Sequence, residues 1–188
     1  MIETIVADLG ELRLTGTVPG LYADHLVRVS FSSLSAKHRL PAWLELLALS
    51  ASYPDTQWRA VTIGKRGQSV LGPIEGGWAG KVLADLLELR QTGLAEPIPF
   101  APKTSAEYAR IRFDKRAVAP FKKMLTQEWN RERDETFERF FGAGVTLDGL
   151  MAAESVAGEE RGDLGEPSRF GTLARRVFHP LLMVEESS

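Results

Sequence analysis

Two alternating apolar–polar segments are followed, near Pro41, by apolar residues at helical spacing, and that switch of period constrains the fold more than anything else. In ELRLTGTV, Leu12, Leu14 and then Val18 mark one face of a half-buried strand, closed by Gly16 and the pair Pro19-Gly20. LVRVSFSS alternates again through Leu26, Val27, Val29 and Phe31, and a hairpin across PGLYADH is the natural joint. LPAWLELLALSAS then reads as a helix, with Pro41 suited to its first turn and Leu44, Leu47 and Ala48 on one stripe. A chain with this order has to lay helices against a sheet, so an α/β fold is expected.

WRAVTIGKRGQSVLG predicts a second hairpin turning at Gly64-Lys65-Arg66-Gly67. GGWAGKVLADLLELRQTG predicts a helix with Val82, Leu83, Leu86 and Leu87 inward and Gly93 at its C′ position. EPIPFAP is too rich in proline to be helical. Beyond about residue 103, AEYARIRFDKR and AVAPFKKMLTQEWNRERDETFERFF have helical spacing, with Pro120 near a helix start. LDGLMAAES is a short helix, residues 155–169 form a partly disordered loop, and RFGTLARRVFHPLLMV is a closing helix stopped by Pro180.

Composition narrows the chemistry. The 188 residues suit one domain or one domain with an appended subdomain. The absence of cysteine excludes disulfides, thiolate metal sites and cysteine nucleophiles. No run approaches the roughly 20 apolar residues that span a bilayer. MIETIVADLG lacks the basic and apolar regions of a secretory signal, so a cytoplasmic protein without membrane contact is expected. A net charge of −2 means that any nucleic-acid role needs a local basic patch.

Most motifs reduce to structure. GGWAGK lacks the glycine spacing and the hydroxyl of a phosphate loop and reads as a tight start to a helix. His25, His38 and His179 share no helical face and no carboxylate at ligand spacing. The serine run RVSFSSLS has no nucleophile-elbow pattern, and RERDE reads as a solvated helix face. Trp43 and Trp78 fit a core better than a base-stacking platform. Two basic patches remain. One is the hairpin tip, Lys65 and Arg66, flanked by Trp58 and Arg59; the other runs through Arg110, Arg112, Lys115 and Arg116 to Lys122 and Lys123.

The order strand, turn, strand, then LPAWLELLAL resembles the RecB-like branch of the PD-(D/E)XK nucleases, whose strand carboxylates hold a divalent metal beside a lysine. Laid on that pattern, the carboxylate position is Pro19, the second acid is Ser30 and the lysine is Ser32. Proline cannot ligate a metal, and two serines bring no charge to hold magnesium. RLTGTVPGL, LPAWLELLALSAS, WRAVTIGKRG, LLELRQTGLAEPIPFAP, RDETFERFFG and RRVFHPLL are together similar to the carboxy-terminal domain of the exodeoxyribonuclease V gamma-subunit family. The resemblance weakens through residues 142–170.

That resemblance implies a restriction-endonuclease-like mixed sheet flanked by helices, with a mostly helical carboxy-terminal half. It divides the chain into a degenerate nuclease-like core over 1–100 and a helical extension over 101–188 packed on the same domain. It implies the tail of a longer subunit with no catalytic residue, metal or cofactor of its own. The implied partners are the beta and alpha subunits of exodeoxyribonuclease V and double-stranded or forked DNA. Charge and hairpin geometry single out Lys65 and Arg66 for DNA, with Arg112, Lys115 and Arg116 behind them. Two other readings stay open: a metal-dependent nuclease whose ligands have migrated, for instance to Asp24 and Glu45, and a protein-interaction module without DNA contact.

Overall fold

The computed structural model describes residues 1–161 and 165–186. Its contacts divide the chain into two compact units, Met1–Thr92 together with residues from Met183 on, and Gly93–Leu182. No helix among the described residues is long and apolar enough to cross a membrane.

The first unit is α/β. It runs β1 (Ile2–Leu9), β2 (Leu12–Pro19), β3 (Leu21–Tyr22), β4 (His25–Val29), α1 (Ala36–Ser52), β5 (Arg59–Gly64), β6 (Gly67–Leu71) and most of α2 (Gly76–Ala95). β1 and β2 form an antiparallel ribbon closed at Gly10, whose φ of 76° suits glycine in so tight a turn. The other four strands form a mixed sheet in the order β3-β4-β5-β6, parallel between β4 and β5 and antiparallel elsewhere. A parallel pair needs a long crossover, and α1 supplies it. Trp43, Leu46, Leu47 and Leu49 of α1 are buried, as are Leu26, Ala60 and Leu71 of the sheet.

Several expectations are corrected here. The hairpin across PGLYADH is made by two-residue β3, not by β2, whose register partners all lie in β1. β4 ends at Val29, before Phe31, which is exposed. α1 starts at Ala36, so Pro41 lies inside it rather than in its first turn. Leu44 is exposed, whereas Leu47 and Ala48 are buried as expected, together with Trp43, Leu46 and Leu49. α2 continues through Gly93 to Ala95. On α2, Leu83 and Leu89 are the buried leucines, while Val82, Leu86 and Leu87 are half-buried.

The second unit is helical: α3 (Pro102–Phe113), a 3₁₀ turn (Ala119–Phe121), α4 (Lys122–Glu132), α5 (Glu135–Phe141), α6 (Leu147–Met151) and α7 (Arg169–Val184). Its core gathers Tyr108, Ile111, Leu125, Trp129, Leu147, Leu150 and Phe170. Trp129 packs edge-on to Phe137 at 5.0 Å between ring centres and donates its indole N–H to the Val145 carbonyl at 3.1 Å. α7 runs through Pro180 rather than stopping there.

RERDE is not one solvated face. Asp134 breaks the helix and caps α5, accepting from the Thr136 and Phe137 amides. Glu132 caps α3, accepting from the amides of Lys103 (2.7 Å) and Thr104 (2.8 Å) and from the Thr104 hydroxyl. Residues 155–169 are more than a bare loop where described. Glu154 and Ser168 bridge as strand partners, and Glu159 and Glu166 are buried. The expected disorder of this segment falls partly on 162–164, outside the described residues.

Candidate nucleic-acid interface

The β5–β6 hairpin turns in two residues, Lys65 and Arg66, with Gly64 and Gly67 as the last register pair. Its stem is anchored by alternation: Ala60 and Thr62 of β5 and Ser69 and Leu71 of β6 are buried. A Cβ at Gly64 would stand 2.6 Å from Leu34 Cγ, so a larger residue there would have to push the Leu34 side chain aside. Lys65 and Arg66 are exposed and form no ion pair among the described residues. Trp58, expected beside them, is buried against Tyr53, and Arg59 is ion-paired with Glu186.

The two serine positions lie beside this turn. The Ser30 amide donates to the Ile63 carbonyl at 2.8 Å, and the Lys65 amide donates to the Ser32 carbonyl at 3.0 Å. The chain after β4 therefore runs alongside the tip of the hairpin. Pro19, the last residue of β2, helps line a shallow cleft of ≈ 300 Å³ with Gly20, Val27, Arg28 and Val29. The charge in that cleft is the Arg28 guanidinium, which grips Glu45 through both carboxylate oxygens. Glu45 is thus neutralised by a side chain of its own domain. Asp24 pairs with His25 at 2.6 Å, and that hydrogen bond holds its carboxyl below the ordinary range. Among the described residues, no three His, Asp or Glu side chains come together as a metal-binding group.

The second basic patch is mixed in character. Arg112 donates to Glu166 at 2.8 Å, as does Arg175 at 2.7 Å, and Tyr108 hydrogen-bonds the same carboxylate at 2.6 Å. The Glu166 side chain has no exposed surface, so Arg112 is tied into a buried network. Lys115 and Arg116 are exposed. Arg116 lies 3.8 Å from Asp114 and over the Phe121 ring, and Lys122 pairs with Asp148.

The remaining motifs are structural where described. The amides at the start of α2, Gly77 and Trp78, are both taken by the Glu75 carboxylate, which leaves GGWAGK no free cradle for a phosphate. His38 accepts from the Ser35 amide in a capping box, and His179 packs edge-on to Phe113. Trp43 and Trp78 meet at 6.0 Å, Trp43 fully buried and Trp78 half-buried. Sequence reasoning missed β1, the capping role of Glu132 and the exposure of Phe31. The alternation of Ile5 and Ala7 could have revealed β1; nothing local announces the other two.

The first unit is thus an α/β unit with a mixed sheet, a hairpin tip carrying two exposed cations, and a nearby carboxylate, Glu45, bound to Arg28. A family model, "RecC C-terminal domain", matches residues 3–112. The chain belongs to the RecC C-terminal domain family. It is 37% identical over 183 residues to the RecBCD enzyme subunit RecC of Mycolicibacterium smegmatis, covering 94% of this chain. It is 34% identical over 196 residues to the RecBCD enzyme subunit RecC of Mycobacterium tuberculosis, covering 96%. The chain spans 17% of the length of each of these relatives. The resemblance to the exodeoxyribonuclease V gamma-subunit family is thereby borne out.

Proposed function

We propose that this chain is a DNA-contacting, non-catalytic domain of the gamma subunit of an exodeoxyribonuclease V (RecBCD-type) helicase–nuclease, acting in double-strand-break repair and recombination. The relatives' designation as RecBCD subunits supports the complex, and with it partnership with the beta and alpha subunits. On this reading residues 1–100 are a degenerate restriction-endonuclease-like core and 101–188 a helical extension. The enzyme's chemistry belongs to other parts of the assembly.

The observation that carries the DNA reading is the hairpin tip. Lys65 and Arg66 form an exposed two-residue turn with no carboxylate neutralising them among the described residues. Exposed cations held this way are what a phosphate backbone recruits, with release of counterions. Lys115 and Arg116, exposed in the second unit, are further candidates for phosphate contact, and Arg112 serves the Glu166 network instead. The lack of catalysis is supported by Pro19, Ser30 and Ser32 and by the Arg28–Glu45 pair. The test compares the salt dependence of duplex-DNA binding between the native chain and a Lys65→Ala/Arg66→Ala variant. Loss of two phosphate contacts should reduce the slope of log K against log salt by roughly two. An unchanged slope and affinity would assign the domain to protein contacts instead.

A further inference from the structure

Phe31 is 96% exposed, more than any other large apolar side chain described. It is not on a loose tail. The Ser30 amide is bonded to the Ile63 carbonyl and the Ser32 carbonyl to the Lys65 amide, so both backbone neighbours of Phe31 are fixed to the strand that enters the hairpin turn. Val29 and Ile63 are register partners one step below, and both are exposed as well. Phe31 therefore stands, fully exposed, in a segment whose next residue is bonded to the backbone of Lys65 in the hairpin turn, where Lys65 and Arg66 have no ion pair among the described residues.

We propose that Phe31 is a stacking platform for an unpaired nucleobase of single-stranded DNA, with Lys65 and Arg66 holding the phosphates of the same strand. This rests on the DNA reading above and adds a strand class and a residue to it. A nucleotide presents an apolar π-face and an anionic phosphate within one unit, and the site offers an exposed ring and two cations within the same short span. Single-strand binders combine these two elements, and the stacking part tolerates any base because every base has a π-face. A base inside a duplex is stacked on both faces, so duplex DNA away from its ends uses the cations alone.

The test uses the full chain with two DNAs of equal length, a blunt duplex and a fork carrying 2-aminopurine in its single-stranded arm. Native protein should change the 2-aminopurine fluorescence on binding. Phe31→Ala should abolish that change and weaken fork binding roughly tenfold, while blunt-duplex binding stays within about twofold. Phe31→Trp should retain the signal, and Phe31→Leu, apolar but not aromatic, should behave like Phe31→Ala. Thermal melts of the variants should match the native protein, since the ring is solvent-exposed. If the native protein and Phe31→Ala bind fork and duplex alike with no fluorescence difference, the stacking inference falls and the basic hairpin stands. If Phe31→Leu retains full fork binding, the ring is a generic apolar contact and the inference also falls. If the native protein binds neither DNA, the DNA reading itself fails and takes the inference with it.

Discussion

Lys115 shows how a residue's charge and its backbone can tell different stories. It ends α3 with φ of 57°, and the amides of Lys115 and Arg116 donate back to the carbonyls of Arg112 and Ile111. That is a Schellman closure, in which the left-handed position is normally glycine. A side chain there costs roughly 1 kcal/mol. Lys115→Gly is therefore expected to stabilise the protein by about 1 kcal/mol in denaturant unfolding. The histidines supply a pH dependence. Burial first, then Lys37, holds the pKa of His38 below its usual value, and burial, then Arg175, does the same for His179. Each folded pKa is depressed, so the stabilisation is complete above the unfolded value of about 6.5 and is lost as pH falls through the folded values. Melting temperature should fall between pH 7 and pH 5, and His38→Gln should flatten part of that decline. The charges of Lys115 and Arg112 were legible in the sequence, but their partners were not. Nothing near Arg112 announces that Glu166 is folded back onto it.

At the scale of elements, what was readable is what is local. The second hairpin, the proline-rich break after α2 and the positions of α3, α4 and α6 follow from period and turn chemistry. The misses come from tertiary contacts that override local preference. A proline within a helix costs about 3 kcal/mol, yet α7 passes Pro180 because Phe178, Leu181 and Leu182 are buried around it. Each such side chain contributes roughly 1.5–3 kcal/mol by leaving water, so continuing the helix wins. Capping across sequence distance is equally invisible, as Glu132 shows by closing a helix that begins at Pro102. Glu132→Ala should cost about 1–2 kcal/mol, measured by urea unfolding, because two amides lose their acceptor. A cost near zero would mean that water replaces the carboxylate without penalty.

Over the whole molecule, the sheet-bearing first unit was legible and the return of the chain to it was not. Glu185 pairs with Leu71 as a strand neighbour and accepts from Arg39 and Ser69, contacts more than 100 residues apart in sequence. The second unit depends on one buried charge in the same way. Glu166 accepts from Arg112, from Arg175 and from the Tyr108 hydroxyl, whose pKa burial pushes well above its ordinary value. Removing one member of a buried pair strands the others, so Glu166→Gln should destabilise by about 3–5 kcal/mol in thermal or denaturant unfolding. The candidate site was half legible. Lys65 and Arg66 stood out as a turn between two alternating strands, whereas Phe31 looked like a continuation of β4.

The most direct measurement is binding of the purified chain to forked duplex DNA over a salt series, with magnesium present and cleavage products followed. Binding that weakens as salt rises, with the DNA left intact, is the predicted result. Magnesium-dependent cleavage that persists through repurification would contradict the assignment of Pro19, Ser30 and Ser32 to a silent site.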